Sequence, residues 1–183
     1  MATQFNRPPL RRITDFKSKL VGGGARPNLF EVELAFPEEI AIDNDVKDKA
    51  RFLVKAAALP ASNITPIDVN FRGRILKIAG DRTFEDWSVT IINDSEFSAR
   101  SSLEAWQQDI QELDSGVGMA SNDYLLSRAF VEQLGKDDAV LARYEFFNMY
   151  PKNIAAIELN YETVDALEEF TVDFTYSHWE RVK

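Results

Sequence analysis

The chain contains no cysteine and a single histidine, His178. The first absence excludes disulfides, thiolate nucleophiles and every Cys-ligated metal site. The second excludes a His-rich metal site, or two histidines working as acid and base, within one chain. No apolar run approaches the roughly 20 residues that a membrane-spanning helix needs. Met1–Leu20 is polar and basic, without the apolar segment of a signal peptide. These absences predict a cytosolic protein, made in a reducing compartment, that carries no cofactor and lacks the groups most enzymes rely on.

The 183 residues suit one domain with elaborated loops, and a hydrophobic content of 45% is that of a globular chain. The formal net charge of −9 is unevenly spread. Arg7, Arg11, Arg12, Lys17, Lys19 and Arg26 stand against only Asp15 in the first thirty residues, whereas 31–50 and the half after Arg100 are acidic. A basic arm on an acidic body suggests head-to-tail contact between copies, because opposite potentials steer association. An acidic body lacks the clustered cations that DNA binding needs. Residues 1–24 read as a basic, flexible N-terminal arm, with Pro8-Pro9 opposing regular structure and Gly22-Gly23-Gly24 as a joint. Residues 25–183 read as the folded domain.

That domain reads as mainly β, a sandwich or barrel with one flanking helix. Phe30, Val32, Leu34 and Phe36 alternate with polar or small residues until Pro37 stops the strand. Residues 38–50 form an acidic insert, and Phe52–Ala58 a second strand. Ile64, Ile67, Val69, Phe71, Ile75, Leu76 and Ile78 flank a turn at Arg72-Gly73, the signal of a hairpin, with Pro66 favouring an edge or a bulge. Such a hairpin either folds on its own sheet, as periodicity favours, or reaches into a neighbouring subunit. Trp87, Val89 and Ile91 mark another strand. After the capping cluster Asn93-Asp94-Ser95, the residues Phe97, Leu103, Trp106, Ile110 and Leu113 share one helix face. Leu125–Leu134 fits strand or helix. Val140–Phe146 alternates, and Met149-Tyr150-Pro151 ends that strand. Ile154–Tyr161 reads as a helical turn passing into a short strand, and Phe170–Trp179 as one unbroken strand.

Catalytic constellations are weak. His178 sits near a strand end on the face of Phe170, Phe174 and Tyr176, where a structural role is the ordinary one. There is no GxSxG elbow. The pairs Asp137-Asp138, Glu168-Glu169 and Asp81 with Asp86 are what an acidic chain holds by chance, and none has EF-hand spacing. Phe71-Arg72-Gly73-Arg74 is too short for an RNA-stacking platform.

Several segments carry a family resemblance. Ala25–Val32, Lys55–Ala61 and above all Ala79–Thr90, followed by Asn93-Asp94 and Ala105-Trp106-Gln107, resemble the tail tube proteins of contractile-tailed (myovirus) bacteriophages. The ending Phe170–Glu180 is similar too, so the resemblance spans residues 25–180 in order, while the acidic stretch 37–50 is longer than the family pattern. The resemblance implies a structural virion protein, assembled in the host cytoplasm, whose homo-hexameric rings stack into the inner tail tube. It further implies contact with the sheath protein, the baseplate hub or tube initiator and the tape measure protein. Genomic DNA would pass through an acidic lumen without sequence-specific binding. Arg11, Arg12, Ile64, Ile67, Val69, Phe71, Arg72 and Arg74 are then candidate subunit-interface residues, bridging copies or successive rings. Gly80, Asp81, Arg82, Phe84, Trp87 and Trp106 are expected to be structural, with Gly80 at positive φ and Asp81 bonding backbone N–H groups in a turn. The alternatives are the tube of a tailocin or type VI-like system, a baseplate tube initiator, and a carboxylate-based enzyme.

Overall fold

The structure, a computed structural model, describes residues 12–36, 53–119, 125 and 128–183. Pro8-Pro9, Arg11 and the acidic insert 38–50 lie outside the described residues. The elements, in order, are helix α1 (Ile13–Lys19), a 3₁₀ turn (Val21–Gly23), β1 (Phe30–Ala35), β2 (Val54–Ala57), β3 (Asn63–Phe71), β4 (Arg74–Thr83) and β5 (Trp87–Ile92). Helix α2 (Ser98–Ile110), β6 (Arg128–Leu134), β7 (Val140–Phe147), β8 (Tyr150–Ile154), β9 (Glu169–Thr175) and β10 (His178–Arg181) follow. The described residues thus hold two α-helices where the sequence led us to expect one.

Two four-stranded antiparallel sheets, ordered β1-β6-β7-β10 and β2-β5-β9-β8, pack over one core, and β3-β4 stands as a separate hairpin. The alternation explains the packing. Val32 and Leu34 from the first sheet and Trp87, Val89, Ile91, Phe170, Val172 and Phe174 from the second are all buried, while Glu33 and Ser88 between them are exposed. Trp87 of the second sheet stacks on Phe146 of the first, with centroids 4.4 Å apart at 26°, so the inner faces interlock directly.

Helix α2 closes the core at one side. The Asp94 carboxylate accepts bonds from the backbone N–H (2.8 Å) and hydroxyl (2.5 Å) of Ser98, fixing where the helix starts. Ala99, Leu103 and Trp106 bury its inner face. The stripe is shorter than expected: Phe97 is a left-handed residue before the helix, and Leu113 lies beyond its end at 91% exposure. Trp106 meets Phe36 edge-on at 5.7 Å.

Within the stretch 125–134, which fitted strand or helix, Arg128–Leu134 forms strand β6. Two sequence expectations are corrected. β7 ends at Phe147, just before Met149-Tyr150-Pro151 as expected, but a new strand follows, and Pro151 lies inside this β8, an edge strand, where its missing N–H removes no ladder bond. Regular structure therefore stops at Ile154, and 155–160 is irregular. The C-terminal strand is not continuous: it divides at Tyr176-Ser177, with β9 in the second sheet and β10 in the first. β7 and β8 divide at the matching point, Asn148-Met149, and pair with β10 and β9 respectively. The result is one two-stranded ribbon that passes from sheet to sheet.

Candidate assembly interface

The hairpin is the most unusual feature of the described residues. Asn63–Thr83 buries no residue, although Ile64, Ile67, Val69, Phe71, Ile75, Leu76 and Ile78 are large and apolar. It does not fold on either four-stranded sheet, so the reading that periodicity favoured does not hold. The register pairs Ile67 with Ile78, Val69 with Leu76 and Phe71 with Arg74, which places these six side chains on one face. Asp68 with Lys77 and Asn70 with Ile75 occupy the other, where Lys77 Nζ meets the Asp68 carboxylate at 2.9 Å. The hairpin is therefore two-faced, one side apolar and the other mostly polar, without a core of its own.

The local sequence sets its shape. Arg72 (φ 46°) and Gly73 (φ 79°) both adopt the left-handed conformation of a two-residue turn whose twist suits the strands. The Arg72 guanidinium lies over the Phe71 ring, 5.2 Å from its centroid. Pro66 sits at a register shift following Ile64, the expected bulge. Opposite that bulge, Gly80 is required by proximity: a Cβ there would lie 2.5 Å from the Thr65 carbonyl oxygen. Gly80 does not have positive φ, and Gly80, Asp81 and Arg82 belong to strand β4 rather than to a turn. Asp81 and Arg82 are both exposed.

Two indoles hold the hairpin's root. Trp87, in the second sheet, donates Nε1–H to the Ala58 carbonyl at 2.7 Å. Trp179, in the first sheet, donates to the Ala61 carbonyl at 3.1 Å. Asn63 adds a 2.7 Å bond to Glu85. The hairpin is thus moored to both sheets through residues 58–63 and is free beyond them. Phe84 packs against the core and lies 5.9 Å from Tyr176. Trp87 and Trp106 are buried in the core and Phe84 packs against it, and Trp87 additionally moors the hairpin.

The arm presents a second exposed surface. Arg12 precedes α1, and its backbone N–H donates to the Asp15 carboxylate at 3.0 Å. Helix α1 buries no residue and exposes Ile13 and Phe16 beside Lys17 and Lys19. Arg12 and the hairpin residues do not share one site. Two exposed apolar stretches escaped sequence reasoning: Leu113 with Val117, and the segment 155–168 with Leu159, Tyr161, Val164 and Leu167. Leu113 matches the helix face in sequence and Ile154–Tyr161 a helical turn and strand, so neither stretch was expected to be exposed.

Among the described residues, His178, Glu168, Glu169 and Asp86, titratable groups that the sequence singled out, are engaged with neighbours or stacked. His178 stacks flat on Phe147, 4.7 Å between centroids and 5° between planes. Glu169 is engaged by Lys55 at 2.5 Å and Glu168 by Asn93 at 2.6 Å. Asp86 accepts from Lys152 Nζ (2.6 Å) and the Thr175 hydroxyl (2.7 Å), which hold its carboxyl below the usual range. A general acid needs the opposite displacement. Burial, with the nearby Asp86 and Glu85 charges, pushes the Tyr176 hydroxyl up. Among the described residues no group of three or more His, Asp or Glu side chains is placed to hold a metal ion, and no helix is long and apolar enough to cross a membrane.

Comparison with known proteins agrees with this surface-dominated picture. The chain is 31% identical over 160 residues to the tail tube protein gp19 of Enterobacteria phage T4, an alignment covering 87% of this chain and 93% of that one. A tail tube protein of Serratia phage KSP90 is 28% identical over 166 residues, covering 90% and 93%. The fold also matches a chain of the sheath-tube complex of an extracellular contractile injection system, with a TM-score of 0.57, 10% identity and coverage of 90% and 95%. A chain of the anti-feeding prophage baseplate matches with a TM-score of 0.58 and 11% identity, covering 86% and 95%. The model of the phage tail tube protein family matches residues 25–182, and the chain belongs to that family.

Proposed function

We propose that the chain is a tube subunit of a contractile phage tail, a structural virion protein that assembles into stacked hexameric rings and performs no catalysis. The observation that carries the reading is the hairpin's apolar face. Ile67, Val69, Phe71, Leu76 and Ile78 are each between 41% and 67% exposed on one side of a two-stranded element, and a contiguous apolar patch of that kind marks a contact surface. Arg72 and Arg74 at its tip add two cations for an acidic neighbour. Each sheet also has two open edges, β1 and β10 in one, β2 and β8 in the other, and pairing edges around a closed ring removes that liability. The basic residues Arg11 and Arg12 bridge copies or rings alongside the hairpin.

The outer face of the second sheet suits a channel wall. Ser88, Thr90, Thr171 and Asp173 form cross-strand pairs on it, and the Asp173 carboxylate accepts from the Ser88 hydroxyl at 2.5 Å and from the Asn153 amide at 3.1 Å. The lysines beside it, Lys55 and Lys152, are each held by a carboxylate, Glu169 and Asp86. Such a wall offers phosphate no unpaired cation, so DNA slides past it without sticking. The sheath, the baseplate hub or tube initiator and the tape measure protein are the remaining partners on this reading.

The test is expression of the chain alone, and then with a baseplate seed, followed by negative-stain electron microscopy across concentration and salt. Hollow filaments or six-fold rings are expected. A persistent monomer in the presence of seeds overturns the reading.

A further inference from the structure

Two further surfaces are complementary in charge, and both expose apolar side chains. A groove of about 430 Å³ lies between the 3₁₀ turn of the arm and the turn joining β6 to β7. Val21, Leu29, Leu134 and Leu141 line it, and Arg26 and Lys136 stand at its rim with one carboxylate, Asp137. Helix α1, which leads into the groove, adds Lys17 and Lys19. Among the described residues, no carboxylate lies within ion-pair distance of Arg26 or Lys136.

The segment 155–168 has the opposite character. Leu159, Tyr161, Val164 and Leu167 are all at least 76% exposed, and Glu158, Glu162 and Asp165 alternate with them, unpaired with any cation among the described residues. It is held in shape. The Asn160 side-chain carbonyl accepts from the Glu162 N–H at 2.9 Å, and the Asn160 backbone carbonyl accepts from the Thr163 N–H at 3.2 Å. This local turn presents Tyr161 at its tip. A loop this long that exposes apolar side chains in a fixed turn is the kind that carries function.

Topology separates the two. The ribbon of β7–β8 with β9–β10 begins at the β6–β7 turn, beside the groove, and ends at Ile154 and Glu169, where 155–168 is inserted. Donor and acceptor thus lie at opposite ends of one structural unit. That is the arrangement a heterologous, ring-closing contact requires, since each copy presents one surface forward and the other back.

We infer that segment 155–168 of one copy seats in the groove between the arm and the β6–β7 turn of the next. Leu159 and Tyr161 cover the groove's apolar floor, and Glu158, Glu162 and Asp165 face Arg26, Lys136 and the lysines of α1. This inference rests on the tube reading above, and it names a pair of surfaces that the reading leaves open. Opposite charges at the rim orient the encounter, and the apolar floor supplies the burial.

The test uses the full chain and two sets of charge reversals at exposed positions. Arg26→Glu with Lys136→Glu, and separately Glu158→Lys, Glu162→Lys and Asp165→Lys, each place like charges against each other. Each set is expected to raise the concentration needed for assembly about 10-fold or more, and both sets in one chain should restore it to within about 3-fold of the parent. Because the chain has no cysteine, Lys136→Cys with Glu162→Cys makes the only two thiols. Mild oxidation of assembled material should then link copies into a ladder on a non-reducing gel, while dilute monomer stays unlinked. If both reversal sets assemble like the parent, or if the assembled double-cysteine chain gives no ladder, the pairing is wrong and the tube reading stands. If the parent chain does not assemble even with seeds, the tube reading itself fails.

Discussion

Replacing Phe71 by alanine separates folding from assembly on a single side chain. Phe71 is 67% exposed and touches no core residue in the isolated subunit. Its loss should move monomer stability by no more than ~0.5 kcal/mol, the usual range for a surface substitution. The melting temperature of the monomer should accordingly stay within about 2 °C of the parent. At an interface the account differs. The truncation withdraws roughly 100 Å² of apolar surface from the contact, about 2.5 kcal/mol at ~25 cal/mol per Å². At tenfold per 1.4 kcal/mol, the critical concentration for tube growth should rise by about 50- to 100-fold. Conversion of area to affinity is incomplete at real interfaces, so that figure is a ceiling, and about 10-fold is its lower end. Asn70, the neighbouring residue on the hairpin's polar face, is the control: Asn70→Ala should change the critical concentration by less than about 3-fold, since it withdraws no large apolar group. Pelleting across a concentration series, with circular dichroism of the monomer, reads both quantities. A Phe71→Ala chain that assembles at the parental concentration, or that loses monomer stability instead, would refute the claim that this face exists for a neighbour.

Trp87 should show two separable roles under thermal denaturation. Trp87→Phe loses chiefly the bond to the Ala58 carbonyl, about 0.5–1.5 kcal/mol, whereas Trp87→Ala also empties the site against Phe146 and should cost about 3–5 kcal/mol; equal melting temperatures for the two would contradict the packing. Gly80→Ala forces a Cβ to within 2.5 Å of the Thr65 carbonyl oxygen, so the hairpin's root must open, at a cost of about 1–3 kcal/mol; hydrogen exchange of the amides of Ile64, Thr65 and Ile67 should quicken, and unchanged protection would show that the strands part freely. The Asp86–Lys152 pair predicts a pH dependence with two signs. Asp86 titrates below its ordinary value because of Lys152 and Thr175, so its contribution is present above about pH 4 and fades as pH falls through the lowered folded-state value. Lys152 titrates above its ordinary value because of Asp86, so its contribution is lost as pH rises past that raised value. Acid and alkaline unfolding curves should therefore both flatten slightly in Asp86→Asn, and unaltered curves would show that solvent screens the pair entirely.

Much of the fold was legible because alternation survives burial. β5 and β9 bury every second side chain and β1 buries Val32 and Leu34, whereas β7 keeps the alternation but fully buries only Phe146; the hairpin was marked by Arg72-Gly73 between two apolar runs. The divided C-terminal strand was not legible for a physical reason. Alternation continues through the corner, with Phe170, Val172, Phe174 and the nearly buried Tyr176 in phase, and what changes at Ser177 is only the hydrogen-bonding partner. β8 was hidden by Pro151, which marks a strand's end as often as an edge strand. Helix α2 was recognised by Asp94 and Trp106 but drawn too long, because Phe97 and Leu113 match its period without belonging to it. The candidate interface was legible in part. The apolar hairpin stood out, yet whether it lay on its own sheet depended on pairings that no local pattern encodes. Segment 155–168 was not legible at its start, where Ile154–Tyr161 suggests a helical turn and a strand that the structure lacks.

The distribution of exposed apolar side chains ties the fold to the proposed role. Of the large hydrophobic residues that the described chain exposes, Leu141 alone lies on a strand of the two four-stranded sheets. The others sit on the arm, the hairpin, the two irregular loops and the residues flanking elements. The sheets are thus largely finished surfaces, with outer faces on which Arg143 and Arg128 lie over Phe130 and Phe147, over a core that includes Trp106, Phe146 and Phe174 at 0% exposure. The connections are unfinished ones. A subunit built this way folds without its neighbours, because its buried core comes from the two sheets, helix α2 and the residues flanking them, with Ile157 of the loop 155–168 packing only at its edge. It stays exposed to a partner at several separate places, because each appendage leaves apolar area that only another chain can cover. Covering them on all sides at once requires neighbours beside, above and below, which a closed dimer cannot supply and a stack of rings can.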